Sequence, residues 1–372
     1  MSNSINIVSF DIPEPADYGG VIDVFYRIQA LARLGISIHL HCFYKDRKPS
    51  IRLERLCQSV HYYKRAVPTS PPLLPYIVYS RTNKQLLDYL LNTKHPVLLE
   101  GVHCAAYQKE LLDAGIKTAI RLHNLEWKYY GHLAENASFV KGIYFKKESA
   151  ALRKFEENLD TRSILLSISE SESKLFSKQY RNVHHLPAFH ADAGINSPLG
   201  RGKSVLFYGN LSVNENEKAA LLLCQTANVC TGLDFIIAGR NPSSKLVTRC
   251  TENDVQLIPN PSDKELVQLK DNAHVHLLLS EQETGVKLKL VSALKTSRFT
   301  LCNQEITSGN TKLSHLNIVN NLSDLPKYLN MIIHCNATRS MQGIKNEQFR
   351  QEFDNFVNAK MITRLLNLSA NG

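Results

Sequence analysis

The stretch Ser280–Asn303, SEQETGVKLKLVSALKTSRFTLCN, decides how the chain reads. Just before it lies His276-Leu277-Leu278-Leu279, an apolar run of the kind that forms a parallel strand covered on both faces. Gly285 opens a helix pattern in which Val286, Leu290, Val291 and Leu294 share one buried face. Lys287 and Lys289 fall in its first turn, where backbone N–H groups lack an intrahelical acceptor. The helix dipole favours carboxylates there, so two lysines point to an anion brought from outside. Strand, glycine turn, helix start and paired lysines together predict a site for a phosphate or diphosphate. The same letters also fit an ordinary strand–helix junction with solvated lysines.

Working outward, the 372 residues suggest two domains, each large enough to bury its own core. Apolar content of 43% and charged content of 21% are those of a globular protein. No apolar run approaches the ~20 residues that cross a bilayer. Ile5 to Phe10 is expected as a first strand and not as a signal peptide. Eight scattered cysteines without a CxxC pair argue for reduced thiols, against a zinc site, and for a cytoplasmic protein. Net charge is +10, with 25 basic and 18 acidic residues before position 191 and 19 and 16 after it. That excess suits a phosphorylated donor, an anionic membrane surface or nucleic acid. Zinc-finger spacing, RNP-type aromatics and basic tails are lacking, so nucleic acid is excluded as a partner.

Alternation of strand and helix signals runs through the chain and predicts an α/β fold with parallel sheets. Ile5–Phe10 is followed by a loop, Asp11 to Gly20, carrying Gly19-Gly20, and then by a helix pattern over Val21–Leu34. Arg47 to Pro75 reads as irregular, with Tyr62-Tyr63 and a proline cluster as a surface that could rest on a membrane. Glu100 and His103 lie at the C-terminal end of a strand, where open α/β sheets place ligand groups. His123 ends the strand Ala119–Leu122, with Glu126 near enough in sequence to orient it. A satisfied structural histidine is the plainer reading of the same position. Phe139 to Leu159 is a basic–acidic helix, either a solvated face or a contact for anionic headgroups. Domains are expected over 1–190 and 191–345, with a linker near Asp192 to Lys203. In the second, Ser204–Tyr208 is a strand, Gly209-Asn210 opens a loop and a helix starts near Glu217.

Gly-x-Lys-x-Lys-x-x-Ser-Ala-Leu over 285–294 resembles the donor-binding segment of GT-B glycosyltransferases of the family 4 type. Arg240 in Phe235–Arg240, the strand Phe299–Asn303, the turn from Gly209 and Asn210 to Asn216, and Arg121-x-His-Asn-x-Glu126 fit the same layout. The resemblance implies two Rossmann-like domains facing a cleft, with a C-terminal helix over 346–372 returning to the first. It implies a retaining, metal-independent transfer of a sugar from a nucleoside diphosphate to a glycan or lipid-linked hydroxyl. Lys287, Lys289, Gly285 and Val286 would hold the diphosphate, and His123 would address the donor sugar. Gly19 and Gly20 would let the first loop approach the donor. Glu100, His103 and Glu126 would lie on the acceptor side. The family's paired glutamates fall on Thr284 and Ser292, which leaves Glu281 or Glu283 to bond sugar hydroxyls in their place. No cofactor beyond the nucleotide sugar and no metal is implied. The inner membrane face is a further partner surface. A degenerate GT-B protein that only binds or scaffolds is the alternative, because Ser292 offers one hydrogen bond where a carboxylate offers two.

Overall fold

The computed structural model describes residues 3–70, 73–135, 137–191, 194–230, 232–281, 285, 287–308, 310 and 313–369. The chain forms two compact units, one of Met1–Asp192, Thr284–Val286 and Phe353–Gly372, the other of Ala193–Glu283 and Lys287–Glu352. Each unit is built on one parallel sheet.

In the first unit the strands are β1 (Ser4–Ser9), β2 (Ser37–Tyr44), β3 (Ser59–Lys64), β4 (Val97–Glu100), β5 (Thr118–Leu122), β6 (Ile164–Ser167) and β7 (Val183–His185). They run in the order β3-β2-β1-β4-β5-β6-β7. VLLE of β4, TAIRL of β5 and ILLS of β6 are buried throughout, as a sheet covered by helices on both faces requires. The order reverses between β1 and β4, so their C-terminal ends open a crevice at the switch point. The helix Gly19–Arg33 follows β1 and buries Val21, Val24, Phe25, Ile28 and Leu31 in the core, as its spacing predicts. It ends at Gly35, whose φ of 74° is the left-handed stop that glycine adopts without strain. Gly19 and Gly20 begin this helix and are not part of the preceding loop. Gly20 is needed there, since a Cβ would lie 2.8 Å from Phe10 Cζ.

Arg47 to Pro75 is more ordered than its composition suggests. Ser50 caps the helix Ile51–Leu56 by accepting from the Leu53 N–H, and β3 adds an edge strand. Arg47 itself clamps the first loop, donating to the carbonyls of Ile12 and Pro15 and pairing with Asp17. The chain returns to the first unit from Phe353, later than the expected 346, because the helix Arg339–Phe353 belongs mostly to the second unit through buried Lys345 and Phe349. The last helix, Asn355–Leu365, sends Ala359 and Ile362 into the first core, followed by Leu366 and Leu368. Each buried Ile or Leu among them contributes about 1.5–3 kcal/mol.

The second unit's strands are β8 (Ser204–Asn210), β9 (Asp234–Arg240), β10 (Gln256–Pro259), β11 (Ala273–Leu278), β12 (Phe299–Cys302) and β13 (Asn317–Ile318). Their order is β10-β9-β8-β11-β12-β13, with the reversal between β8 and β11. A separate core of Val205, Phe207, Leu223, Ile237, Val275, Leu277 and Leu301 fills this unit. The helix after β8 spans Asn214–Ala227, starting three residues earlier than expected. No helix among the described residues is long and apolar enough to cross a membrane.

Candidate functional site

Each switch point carries a cluster of polar side chains, and the two clusters differ in kind. In the first unit, the inward face of Gly19–Arg33 places Asp23 and Arg27 against the ends of β4 and β5. Arg27 Nε donates to Glu100 Oε1 at 3.1 Å, its Nη2 to Glu100 Oε2, and its Nη1 to Asp23 Oδ2 at 2.8 Å. Arg121 on β5 grips Asp23 bidentately, Nε to Oδ2 at 3.0 Å and Nη2 to Oδ1 at 3.1 Å. Its remaining donors reach the carbonyls of Leu186 and Pro187, and the Phe189 N–H closes on Asp23 Oδ1 at 2.7 Å. All four charged side chains are fully buried. Burial works against the Asp23 charge, but Arg121 and Arg27 hold its carboxyl well below the usual range.

His123 stands on this base. Its Nε2 lies 3.0 Å from Glu100 Oε2, and a carboxylate can only accept, so that nitrogen carries the proton. Nδ1 is buried without a hydrogen-bond partner, 3.8 Å from Asp23 Oδ2. Glu100 is the orienting group, and Glu126, expected for that task from sequence, is not. Glu126 is the first residue of the helix Glu126–Glu135, where its N–H donates to Glu156 Oε1 at 2.9 Å and its carboxyl bonds Asn124. Burial pushes the Glu126 carboxyl up to about 7, with Glu172 adding to the rise. Glu172 is likewise raised to about 7 by burial while accepting from the N–H of Leu125 and of Gly285. Gly285 has φ of 82°, and a Cβ on it would fall 2.3 Å from Asn124 Oδ1. Only glycine fits there. His103 sits in a 3-10 turn after β4, against Phe10, and is kept neutral by burial and by Arg81.

Asp23, Glu100 and His123 are close enough together to suggest a cation site. Every carboxylate oxygen of the pair already accepts from a guanidinium, the His123 ring or a backbone N–H. A divalent ion would have to displace two arginines, so the trio does not fit a metal.

In the second unit the site forms at the ends of β8 and β11. Gly209 and Asn210 end β8, and Gly209 makes room for a lysine: a Cβ there would lie 2.7 Å from Lys289 Nζ. Lys289 Nζ donates to Asn216 Oδ1 at 2.5 Å, and Asn216 Nδ2 donates back to the Asn210 carbonyl at 2.8 Å. Lys289 also stands over the Phe207 ring at 5.3 Å. Burial lowers its ammonium to about 8, opposed by Glu215 and assisted by Lys287. The helix begins at Leu288 and not at Gly285, so Lys287 is its N-cap and Lys289 lies in its first turn. Lys287 Nζ donates to Ser280 Oγ at 3.0 Å. Ser280 is itself fixed by Asn303, its N–H donating to Oδ1 at 3.1 Å and its carbonyl accepting from Nδ2 at 2.6 Å. Two ammonium groups thus sit at a helix N-terminus at the sheet's switch point, donating to Ser280 Oγ and Asn216 Oδ1. That arrangement can take up an oxyanion.

Glu281 is exposed, pairs with Lys218 at 2.7 Å, and its N–H meets Glu215 Oε1. Arg240 ends β9 in an exposed position beside Asn210 in register. Ser292 accepts from Lys270 Nζ at 3.0 Å and bonds the Tyr208 hydroxyl, while Lys270 covers the Tyr208 ring at 4.5 Å. Its hydroxyl is thus engaged inside its own unit. Glu283, Thr284 and Val286 lie outside the described residues. Asp23 and Arg27 were missed from sequence. Their spacing on an otherwise apolar helix face was the available signal, for a charge pair on a buried face needs partners.

No family model matches the chain. A Klebsiella pneumoniae protein described as an uncharacterized 44.6 kDa protein in the cps region is 29% identical over 370 residues, covering 93% of each chain. Among solved structures, a glycosyltransferase from Rickettsia africae ESF-5 is similar with a TM-score of 0.64 at 11% identity, covering 99% of this chain and 100% of that one. Anabaena Alr3699/HepE, solved in complex with UDP and glucose, gives a TM-score of 0.62 at 12% identity over 98% of this chain and 99% of its own. At such identities the likeness speaks for the fold alone, and the fold is the GT-B fold of glycosyltransferases.

Proposed function

We propose that the chain is a glycosyltransferase that moves a sugar from a nucleoside-diphosphate donor to a hydroxyl of a glycan or glycolipid, in polysaccharide or glycoconjugate synthesis. The observation that carries this reading is the pair Lys287 and Lys289 at the start of the Leu288–Thr296 helix. Together they would take the charge that develops on the leaving diphosphate, with no metal required. His123, locked by Glu100, would be the first unit's contribution and orient the donor sugar. The resemblance of the 285–294 motif supports a retaining transfer. The Anabaena neighbour's complex with UDP and glucose, and the Klebsiella relative's place in a cps region, support a sugar-nucleotide substrate and a polysaccharide product. Such a donor suits a reaction in the cytoplasm on a glycan or lipid-linked acceptor.

A second reading, a binding protein without turnover, is favoured by one observation. Ser292, where the family carries a ribose-binding glutamate, is already occupied by Lys270 and Tyr208. Thermal unfolding with UDP, GDP and their sugar conjugates, without added metal, decides between them. One nucleotide series at about 100 times its dissociation constant should stabilise by about 2.7 kcal/mol, and Lys287→Ala should abolish the shift. A folded protein that responds to none would favour the second reading, a degenerate protein that serves as a scaffold partner and no longer takes a nucleotide sugar.

A further inference from the structure

Lys345, on the helix Arg339–Phe353, is a cation sealed inside the second unit, only 6% exposed. Its Nζ donates to the Ser297 carbonyl. Among the described residues it makes no other hydrogen bond and no ion pair. An ammonium carries three N–H donors, so two are left over. Burial lowers Lys345 to about 8, and no acid opposes that fall. Holding an ammonium in an interior with neither a counter-charge nor a full set of acceptors is costly.

Beside it lies a recess of about 30 Å³, lined by Lys345, Arg298, His315, Thr300, Ser197 and Thr338 with their neighbours. Arg298 spends Nε and Nη1 on the carbonyls of Leu199, Asp271 and Ala273. His315 Nδ1 meets Gln348 Oε1, while its Nε2 is buried without a bond. The Arg339–Phe353 helix starts at this recess. Thr338 caps it by accepting from the Met341 N–H at 3.3 Å, and its first turn holds no acid. The positive end of that helix therefore adds to the field of the lysine. Asp271, acting through Arg298, is the acid that bears on this lining among the described residues.

This is not the donor site. Arg298 precedes β12 and Thr300 is its second residue, whereas Lys287 and Lys289 stand where β8 and β11 end. The strands are parallel, so the two places lie at opposite ends of the sheet.

We propose that the recess binds one small monovalent inorganic anion of about chloride's size, held by Lys345 Nζ at the start of the Arg339–Phe353 helix. One ammonium calls for one negative charge. Pockets for drug-sized ligands run to about 300–1,000 Å³, so a nucleotide or a sugar is excluded by size. Water could meet the spare N–H groups but not the charge. The ion would tie the segment at Ser197, the start of β12 and the helix to one centre. The inference is independent of sugar transfer and needs no activity assay.

The line width of chloride-35 in the presence of the full chain tests it, with chloride replacing bulky gluconate at fixed ionic strength. The chain should broaden the line saturably, and bromide should remove the excess. Lys345→Met, which keeps the stem and drops the charge, should weaken binding by about tenfold or more. Lys345→Gln should show the same loss, and serves if Lys345→Met does not fold. Lys287→Ala should broaden the line as the parent does. Chloride should also raise the melting temperature of the parent chain and not that of the Lys345 variants. A parent chain without saturable broadening overturns the proposal, as does undiminished broadening by a folded Lys345 variant. Broadening lost in Lys287→Ala and kept in Lys345→Met would put the chloride in the donor site and overturn it as well.

Discussion

The two switch points solve opposite problems. In the first unit, two acids and two arginines are sealed from water, every carboxylate oxygen accepts at least one bond, and the His123 ring is fixed on them through Glu100. In the second, two half-buried lysines donate to Ser280 Oγ and Asn216 Oδ1, and burial, opposed by Glu215, has already weakened Lys289 as a cation. A closed network fixes geometry. Two lysines at a strand–helix junction instead bring positive charge to where an anion could bind.

The comparison breaks first at Arg27. Arg27→Ala strands Asp23 and Glu100 in an apolar interior, and should cost about 3–5 kcal/mol of stability in denaturant titration. A loss within that of a surface substitution would mean the network is solvated. Lys287→Ala should do the reverse, leaving stability nearly intact while slowing sugar transfer by about 3–4 kcal/mol of barrier. Near-normal turnover in that variant would remove Lys287 from the chemistry.

A smaller effect separates the units by pH. Glu126 titrates near 7 in the fold against about 4.5 when unfolded, so the folded state holds the extra proton between those values. Stability of the first unit should therefore fall as pH rises from about 4.5 to about 7. Glu126→Gln should flatten that slope by on the order of 2 kcal/mol, read from melting temperature against pH. The smallest effect belongs to Lys289. Its ammonium lies at about 8 without ligand, and a bound diphosphate should raise it. Binding at pH 8 should then take up a proton, and affinity should grow by up to about tenfold as pH falls from about 9 to about 7. Calorimetry in two buffers of different ionisation heat measures this. Equal heats in both would place Lys289 outside the anion site.

Much of the second site was legible because its signals are local. Gly209, Asn216, Lys287 and Lys289 lie within short segments whose spacing already implies a strand end and a helix start. The first site was half legible. His123 stands out at the end of β5, but its brace comes from residues distant in sequence, Glu100 being 73 positions from Arg27. An acid and a base four apart on a helix ordinarily form an exposed pair, so Asp23 and Arg27 signal burial only through the apolar face they interrupt. The edge strand β3 escaped notice because SVHYYK mixes strand formers with polar and basic residues. Such a composition suits an edge as well as a loop.

The closed set of Asp23, Arg27, Glu100 and Arg121 carries a consequence for descent. No single member can be exchanged for a neutral residue without leaving another charge buried, so the intermediate genotypes of any stepwise replacement are unfit. The four should drift as a block, retained together or replaced together by apolar residues of matching volume. A lineage that had made that exchange would also have released the His123 ring from its fixed orientation, and with it the constraint on what stands beside it.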